Sequence, residues 1–234
     1  MESADSSAVN RKVLLIFAKL PNPGTTKTRL SPHLSPRQAA EAYEAMLQDA
    51  LALTAEVPGV ERWICYSPEG ERAAASYFTA LVPDLHRHPQ QGNDLGDRLA
   101  EAFAAAFATG ADQVVVIGTD SPDLPPDFIR QAFDQLAAAD VVLGPTADGG
   151  YYLLGASRLW PVLFREIPWS TADVLSASLR AAKAAGLRTV LLPKWHDVDT
   201  VEDLLRVAAS PGTSAPRTRS FLYHCYATGS APST

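Results

Sequence analysis

Residues 13–30 read VLLIFAKLPNPGTTKTRL, six apolar residues followed at once by a loop that holds two prolines, a glycine and several cations. The apolar run, Val13 to Ala18, is far shorter than the roughly 20 residues that a membrane-spanning helix needs, and it has the length of a buried strand. The proline and glycine of the loop are typical of a sharp change of direction where a strand ends. This stretch therefore predicts a strand that leads directly into a polar loop.

The same alternation continues along the chain. Further short apolar or β-branched runs predict strands at Arg62 to Tyr66, Gln113 to Ile117, Val141 to Leu143 and Arg188 to Leu192. Apolar residues three and four apart predict helices at Pro36 to Leu53, Leu95 to Ala108, Phe128 to Leu136, Val174 to Ala185 and Val201 to Ala208. We therefore expect one Rossmann-like α/β domain, with a mainly parallel sheet covered by helices on both faces and its ligand beyond the carboxyl ends of the strands.

Length and composition exclude several classes of protein. The 234 residues suit one domain, 47% of them are hydrophobic, and the net charge of −6 disfavours a partner with a phosphate backbone such as nucleic acid. No apolar run suits a membrane helix or a secretory signal, and Cys65 and Cys225 are too few and too distant for a zinc site, so a cytoplasmic location is expected. Composition divides the chain into a flexible N-terminus at 1–11, the domain at 12–209 and a loosely ordered tail at 210–234.

The loop after the first predicted strand is a candidate phosphate site. Gly24 permits close approach of a ligand, and Lys27 and Arg29 supply a point charge and a forked guanidinium. The loop is neither a Walker sequence nor a Rossmann glycine fingerprint. A surface loop with solvated cations is the alternative interpretation, and the residues alone leave both open.

A second candidate lies in QQGNDLGDRL at 90–99. Gln91 and the bare backbone at Gly92 are able to read the edge of a nucleobase through hydrogen bonds. The alternative is a helix start with Asn93 or Asp94 as its N-cap and no binding role.

Three acids that follow predicted strands form a candidate metal site. Asp120 comes directly after the central apolar strand, and Asp197 and Asp199 lie two apart in the loop before the last helix of the domain. Two such carboxylates at one sheet edge can share a Mg²⁺ or Mn²⁺ ion whose other positions are filled by substrate phosphates. Asp123 and Asp127 are instead interpreted as caps of the helix that begins after Pro125 and Pro126.

Five segments, taken together, resemble one protein family. They read FAKLPNPGTTKTRL, QGNDLGDRL, GTDSPDL, LGPTADGGYYLLG and DVDTVEDL, and they span about Val13 to Val207. They resemble the bacterial DUF2064 group of the nucleotide-diphospho-sugar transferase superfamily, some of whose members are associated with arsenosugar biosynthesis. That group is similar to guanylyltransferases that activate phospholactate or phosphoenolpyruvate.

The resemblance implies the GT-A fold and roles for single residues. Lys27 and Arg29 would contact a triphosphate, and Asp120 and Asp199 would hold the metal, with Asp197 as an adjacent or alternative ligand. The first loop departs from the glycine-rich form of many sugar nucleotidyltransferases, because a proline-rich segment with one glycine takes its place.

Two chemistries and one non-catalytic role follow as hypotheses. The favoured one is transfer from a nucleotide sugar to a small-molecule acceptor, because a proline-rich loop has fewer N–H groups for a whole triphosphate; Asp148 then acts as base or holds the acceptor hydroxyl. The alternative is nucleotidyl transfer to a phosphorylated or carboxylate small molecule with release of pyrophosphate. A non-catalytic nucleotide-binding module is the third.

Overall fold

The computed structural model describes residues 10–30, 33–67, 71–210 and 214–227. Within these ranges seven strands form one sheet, in the order β3-β2-β1-β4-β6-β5-β7. The strands are β1 Lys12–Ala18, β2 Val60–Tyr66, β3 His86–Pro89, β4 Gln113–Ile117, β5 Val141–Pro145, β6 Tyr151–Ala156 and β7 Thr189–Leu191. The helices are α1 Pro36–Ala55, α2 Glu71–Leu81, α3 Leu95–Ala108, α4 Pro126–Gln135, α5 Val174–Ala184, α6 Val201–Ala209 and α7 Pro216–Ala227.

The sheet is parallel except at β6. Strand β1 pairs in parallel with β2 and β4, and β2 with β3, whereas β6 runs antiparallel between β4 and β5. The direction reverses at β6 because the short loop 146–150 joins it to β5 as a hairpin. The prediction of a mainly parallel α/β sheet is confirmed.

Both faces of the sheet are buried, which explains why its strands are almost continuously apolar. Alternate residues of β1 enter two separate core clusters: Leu14 and Ile16 face one, and Val13 and Leu15 face the other. Residues of α1, α2 and α4 fill the first cluster, and residues of α3 and α5 border the second. A one-sided sheet would instead alternate apolar and polar residues.

Part of the tail that was expected to be loosely ordered is helical. Residues 216–227 form α7, which packs on α1 and α6. Its first turn is held by Asp49 of α1, a residue that is 2% exposed. The Asp49 carboxylate accepts the Thr218 N–H and hydroxyl, each at 2.8 Å. Buried Leu222 adds apolar contact. Composition missed the helix because it averages these residues with the Ser- and Pro-rich segments on either side.

The N-terminus and the start of α4 test two further expectations. The flexible N-terminus falls mostly at 1–9, outside the described residues, while the Arg11 backbone N–H donates to the Asp112 carboxylate at 2.8 Å.

Pro125 is the N-cap of α4 and no side chain caps it. Asp123 is buried and accepts from the indole of Trp195 and the ring of His196, both at 3.3 Å, and Asp127 pairs with Arg130, so neither serves as the predicted cap. No helix in the described ranges has both the length and the apolar character to span a membrane.

Candidate functional site

A cavity of about 610 Å³ opens at the carboxyl ends of β1 and β4. Its walls come from the loops after these two strands, the start of α3, the start of β6 and the segment before α5. Asp199 closes one end, together with Lys27, Arg29 and Asp120. The position is the one where parallel strands in such sheets present their loops to a ligand.

The loop after β1 is closed by its own hydrogen bonds. The Asn22 carbonyl accepts the N–H groups of Thr25 and Thr26, and the Thr26 hydroxyl donates to the Leu20 carbonyl at 3.0 Å. Gly24 occupies the turn with φ +82° and does not line the cavity. The loop thus presents residues 25–29 to the cavity and keeps Gly24 outside it.

Lys27 points into the acid cluster. It has a φ of +51°, which is uncommon for a residue with a side chain. Its Nζ lies 2.7 Å from Oδ1 of Asp120 and 2.9 Å from Oδ1 of Asp199, and it also donates to the Val198 carbonyl. Burial lowers the pKa of this ammonium, but the two carboxylates outweigh burial and hold the pKa above its usual value.

Asp199 is positioned by the helix that follows it. Thr200 is the N-cap of α6: its hydroxyl accepts the Asp203 N–H, and the Asp203 carboxylate accepts the N–H groups of Thr200 and Asp199. The backbone is also tied to the neighbouring loop, because the Val198 N–H donates to the Asp120 carbonyl at 2.8 Å. Two acids 79 positions apart in sequence therefore meet at one point.

Asp197 lies behind this pair. Its carboxylate accepts the Ser121 hydroxyl at 2.7 Å and does not line the cavity. Burial raises the pKa of Asp197 to about 6, the Ser121 hydrogen bond opposes that rise, and the charges of Asp120 and Asp199 add to it. The geometry gives Asp197 the place of a support under the two acids that face the cavity.

The residues present fit a divalent cation of the Mg²⁺ type. Both Asp120 and Asp199 bring an oxygen within 3 Å of one cationic atom, Lys27 Nζ, which stands where a shared ion would bind. In the part of the chain that the structure describes, no group of three or more His, Cys, Asp or Glu side chains could hold a metal. Two carboxylates plus substrate phosphates is nonetheless the usual set for Mg²⁺.

In the loop before α3, the residues that line the cavity are not the two that were predicted to read a nucleobase. Gln90, Asn93 and Asp94 line the cavity, whereas Gln91 and Gly92 do not. A side chain at Gly92 would collide with Asp97, so this glycine serves the packing of the loop on α3. Asp94 is the N-cap and accepts the Asp97 N–H at 2.8 Å.

Asp148 lies on the loop between β5 and β6, outside the cavity lining. Its carboxylate accepts the Thr146 hydroxyl and the Gly150 N–H. The Thr146 hydrogen bond is the main reason that its pKa is lowered; burial opposes it, and Arg29 adds a favourable charge. A carboxylate with a lowered pKa is a weak proton acceptor near neutral pH, so the site suits Asp148 for orienting a group better than for removing a proton.

Tyr43 and Trp169 are among the cavity residues that sequence reasoning missed. Tyr43 lies within the helix predicted at Pro36 to Leu53, and its hydroxyl accepts the Lys19 N–H at 2.8 Å and lies 2.9 Å from the Thr119 hydroxyl. Trp169 forms part of the cavity wall, and its Nε1 lies where a side chain on Gly96 would start. The one sign of Trp169 in the sequence is that an aromatic residue stands within a loop.

Comparison with known proteins identifies the family. Residues 50–171, just over half of the chain, match the family described as "Uncharacterized protein conserved in bacteria (DUF2064)". The chain belongs to the DUF2064 family. Its resemblance to that family is thereby confirmed.

Named relatives are transferases that use nucleotides. A crystal structure assigned as a nucleotide-diphospho-sugar transferase from Desulfovibrio desulfuricans G20 is 36% identical, has a TM-score of 0.86, and the match covers 92% of this chain and 95% of that one. A phosphoenolpyruvate guanylyltransferase from Nocardia farcinica is 33% identical over 48% of this chain and 49% of its own length, so the match spans about half of that relative. A 2-C-methyl-D-erythritol 4-phosphate cytidylyltransferase from Bordetella petrii is 31% identical over 73% of this chain and 80% of its own length.

These relatives support a transferase of the nucleotide-diphospho-sugar transferase fold. They do not separate nucleotidyl from glycosyl transfer, because two are named as nucleotidyltransferases and the third only as a nucleotide-diphospho-sugar transferase.

Proposed function

We propose that this protein is a metal-dependent nucleotidyltransferase that joins a nucleoside monophosphate to a phosphorylated small molecule. The observation that carries the proposal is the convergence of Asp120 and Asp199 on one cationic point at the edge of a cavity that Arg29 also lines. The two relatives whose names state an acceptor act on phosphorylated compounds, and both are named as nucleotidyltransferases.

In the proposed reaction a phosphate oxygen of the acceptor attacks the α-phosphorus of a nucleoside triphosphate. The new oxygen–phosphorus bond forms as the bond between the α-phosphorus and its bridging oxygen breaks, and pyrophosphate leaves with its electron pair. Bound Mg²⁺ or Mn²⁺ supplies charge neutralisation at the phosphates. Arg29, whose side chain is 77% exposed, faces the leaving group with a fork of N–H donors. Gln90 and Asn93 lie in the cavity wall where the nucleoside would be recognised.

Glycosyl transfer, which the sequence favoured, is the second candidate. One feature of the loop after β1 supports it: the N–H groups of Thr25 and Thr26 are already bonded to Asn22, so the loop offers few backbone donors to a triphosphate. A nucleotide sugar carries two phosphates and needs fewer donors. The Desulfovibrio relative also bears the name of a nucleotide-diphospho-sugar transferase.

The deciding experiment measures release of pyrophosphate from the four common nucleoside triphosphates, with Mg²⁺ or Mn²⁺, against a panel of phosphorylated and carboxylate acceptors. We expect one triphosphate to release pyrophosphate only when an acceptor is present. A parallel panel of nucleotide sugars tests the second candidate, since consumption of a nucleotide sugar without any pyrophosphate release would replace the first proposal. Nucleotide binding that metal does not change, with no turnover in either panel, would indicate a non-catalytic binding module.

A further inference from the structure

The ammonium of Lys27 has no donor left for a ligand. A lysine ammonium carries three N–H donors, and here they meet Asp120, Asp199 and the Val198 carbonyl. The side chain is 7% exposed, while Asp120 and Asp199 remain 48% and 38% exposed. The lysine is therefore enclosed, and the carboxylates that hold it are still open to the cavity.

This arrangement sets two cations in competition for the same oxygens. A divalent cation shared by Asp120 and Asp199 would lie about 2.1 Å from an oxygen of each. Lys27 Nζ already lies within 3 Å of an oxygen of each carboxylate. Since two cations so close together repel strongly, the ion and the ammonium cannot both keep these contacts.

We propose that Lys27 is the resident counter-ion of the Asp120–Asp199 pair and that its displacement couples cation binding to phosphate binding. The proposal rests on the function proposed above, which brings both ligands to this cavity. A divalent cation alone must evict a buried ammonium that gains no new partner. When the phosphates of a nucleotide are present, the displaced ammonium finds anionic oxygens beside it, and eviction costs less.

Each ligand should therefore bind weakly alone and more strongly in the presence of the other. By thermodynamic linkage, the factor by which the nucleotide improves cation binding equals the factor by which the cation improves nucleotide binding. Arg29 does not share this role, because it is mostly exposed and its closest approach to Asp199 is 3.5 Å. Arg29 is thus a matched control of the same charge in the same loop.

The test measures binding of Mn²⁺ alone by electron paramagnetic resonance, with no nucleotide and no turnover. We expect Lys27→Met to bind Mn²⁺ at least tenfold more tightly than the wild-type chain, and Arg29→Met to change Mn²⁺ affinity less than threefold. Adding Asp120→Asn to Lys27→Met should abolish the gain, which would locate the ion at the acid pair. Equal or weaker Mn²⁺ binding by a folded Lys27→Met overturns the proposal.

A second measurement on the wild-type chain keeps the test independent of that variant's folding. With lysine labelled with ¹⁵N, the protected Lys27 ammonium signal should shift strongly on addition of Mg²⁺ together with CTP or GTP, and little with Mg²⁺ alone. An equal shift with Mg²⁺ alone overturns the coupling. Acceptor-dependent release of pyrophosphate is scored separately, so the coupling and the proposed reaction fail by different readouts.

Discussion

Tyr43 shows at the scale of one residue how a side chain hidden in a helix can organise a site. Its hydroxyl joins the loop after β1, through the Lys19 N–H, to the loop after β4, through Thr119. Burial raises the pKa of Tyr43 to about 12, so the hydroxyl keeps its proton across the physiological range. The residue therefore fixes the distance between the loops that carry Lys27 and Asp120.

Tyr43→Phe should lower the free energy of unfolding by about 1–2 kcal/mol, because the buried Thr119 hydroxyl and the partly buried Lys19 N–H both lose a partner. Urea denaturation measures this. Tyr77→Phe on α2 is the control: the Tyr77 hydroxyl only donates to Glu44 of α1 in a partly buried contact, so its loss should cost about 0.5 kcal/mol. Equal losses in the two variants would remove the linking role from Tyr43.

Asp148→Asn tests the loop after β5. Because its carboxylate is held in the turn by Thr146 and Gly150 and lies outside the cavity lining, we expect the affinity for the nucleotide donor to stay within about twofold. Turnover should fall if Asp148 holds the acceptor, the role that the glycosyl candidate gives it. Calorimetry gives the donor affinity and steady-state kinetics the turnover. Turnover unchanged from wild type would leave Asp148 with a purely local role in the turn.

At the scale of elements, two helices carry the same capping box but only one begins beside the acids. Ser35 with Gln38 caps α1, and Thr200 with Asp203 caps α6 directly after Asp199. Each cap variant, Ser35→Ala and Thr200→Ala, should lower the free energy of unfolding by about 1 kcal/mol. Only Thr200→Ala should also weaken metal-dependent nucleotide binding, because Asp203 holds the Asp199 N–H. Matching binding losses in both variants would mean that general loosening, not the position of Asp199, is responsible.

Asp140, an acid with a lowered pKa, joins the residues that directly precede strands β5 and β7. Asp140 accepts the Arg188 backbone N–H at 2.9 Å and its Nε at 3.2 Å, and the backbone bond is the main cause of the lowered pKa. A lowered folded-state pKa means that this stabilisation is complete above the ordinary value of 3.8 and disappears as the pH falls through the lowered value. Asp140→Asn should therefore cost about 1 kcal/mol at pH 7, after allowance for exposure, and less at pH 2. Urea denaturation at both pH values measures the difference, and a cost independent of pH would contradict the assignment.

The elements that could be predicted from sequence are those with a strong apolar period. The helices at 36, 95, 174 and 201 begin within two residues of the predicted positions, since their apolar stripes face the core. Strand β3 was missed because HRHP is a polar edge strand, and α2 was missed although it is as long as α5. The candidate site was only partly predictable: adjacency of Asp120 and Asp199 follows from the parallel sheet, but the engagement of Lys27 by both acids depends on a left-handed backbone angle. Whether Gln90 or Gln91 faces the cavity likewise depends on the rotation of one loop.

For the whole molecule, the described C-terminal helix is part of the framework around the site. A third core cluster joins Leu30 of the loop after β1, Met46 of α1, Val198 beside the acids, Leu204 of α6 and Leu222 of α7. The same apolar contacts thus support both the loop after β1, which carries Lys27, and the loop before α6, which carries Asp199. Packing in this cluster should influence the cavity although none of these five apolar residues lines it.

Asp49→Ala should be the most damaging of these variants, because it removes the acceptor for two N–H groups and a hydroxyl at the start of α7. We expect a loss of about 2–3 kcal/mol in the free energy of unfolding, together with faster hydrogen exchange in α7 and α6 than in the sheet. Hydrogen exchange followed by mass spectrometry resolves the two regions. Uniform acceleration across the sheet and α7 would show that the helix does not open as a separate unit.

The contact between Asp49 and Thr218 spans 169 positions of the chain, which bears on how the protein is made. During synthesis the loop after β1 and helix α1 leave the ribosome long before the residues that cover them, because chains are made at about 5–20 residues per second. The nascent chain must therefore wait several seconds with the Leu30 and Met46 surface uncovered. The sheet can form in that interval, but the two halves of the charged cluster can meet only after Asp199 has emerged. Binding competence should thus be acquired only near the end of translation, after Asp199 and the residues that cover the Leu30 and Met46 surface have emerged.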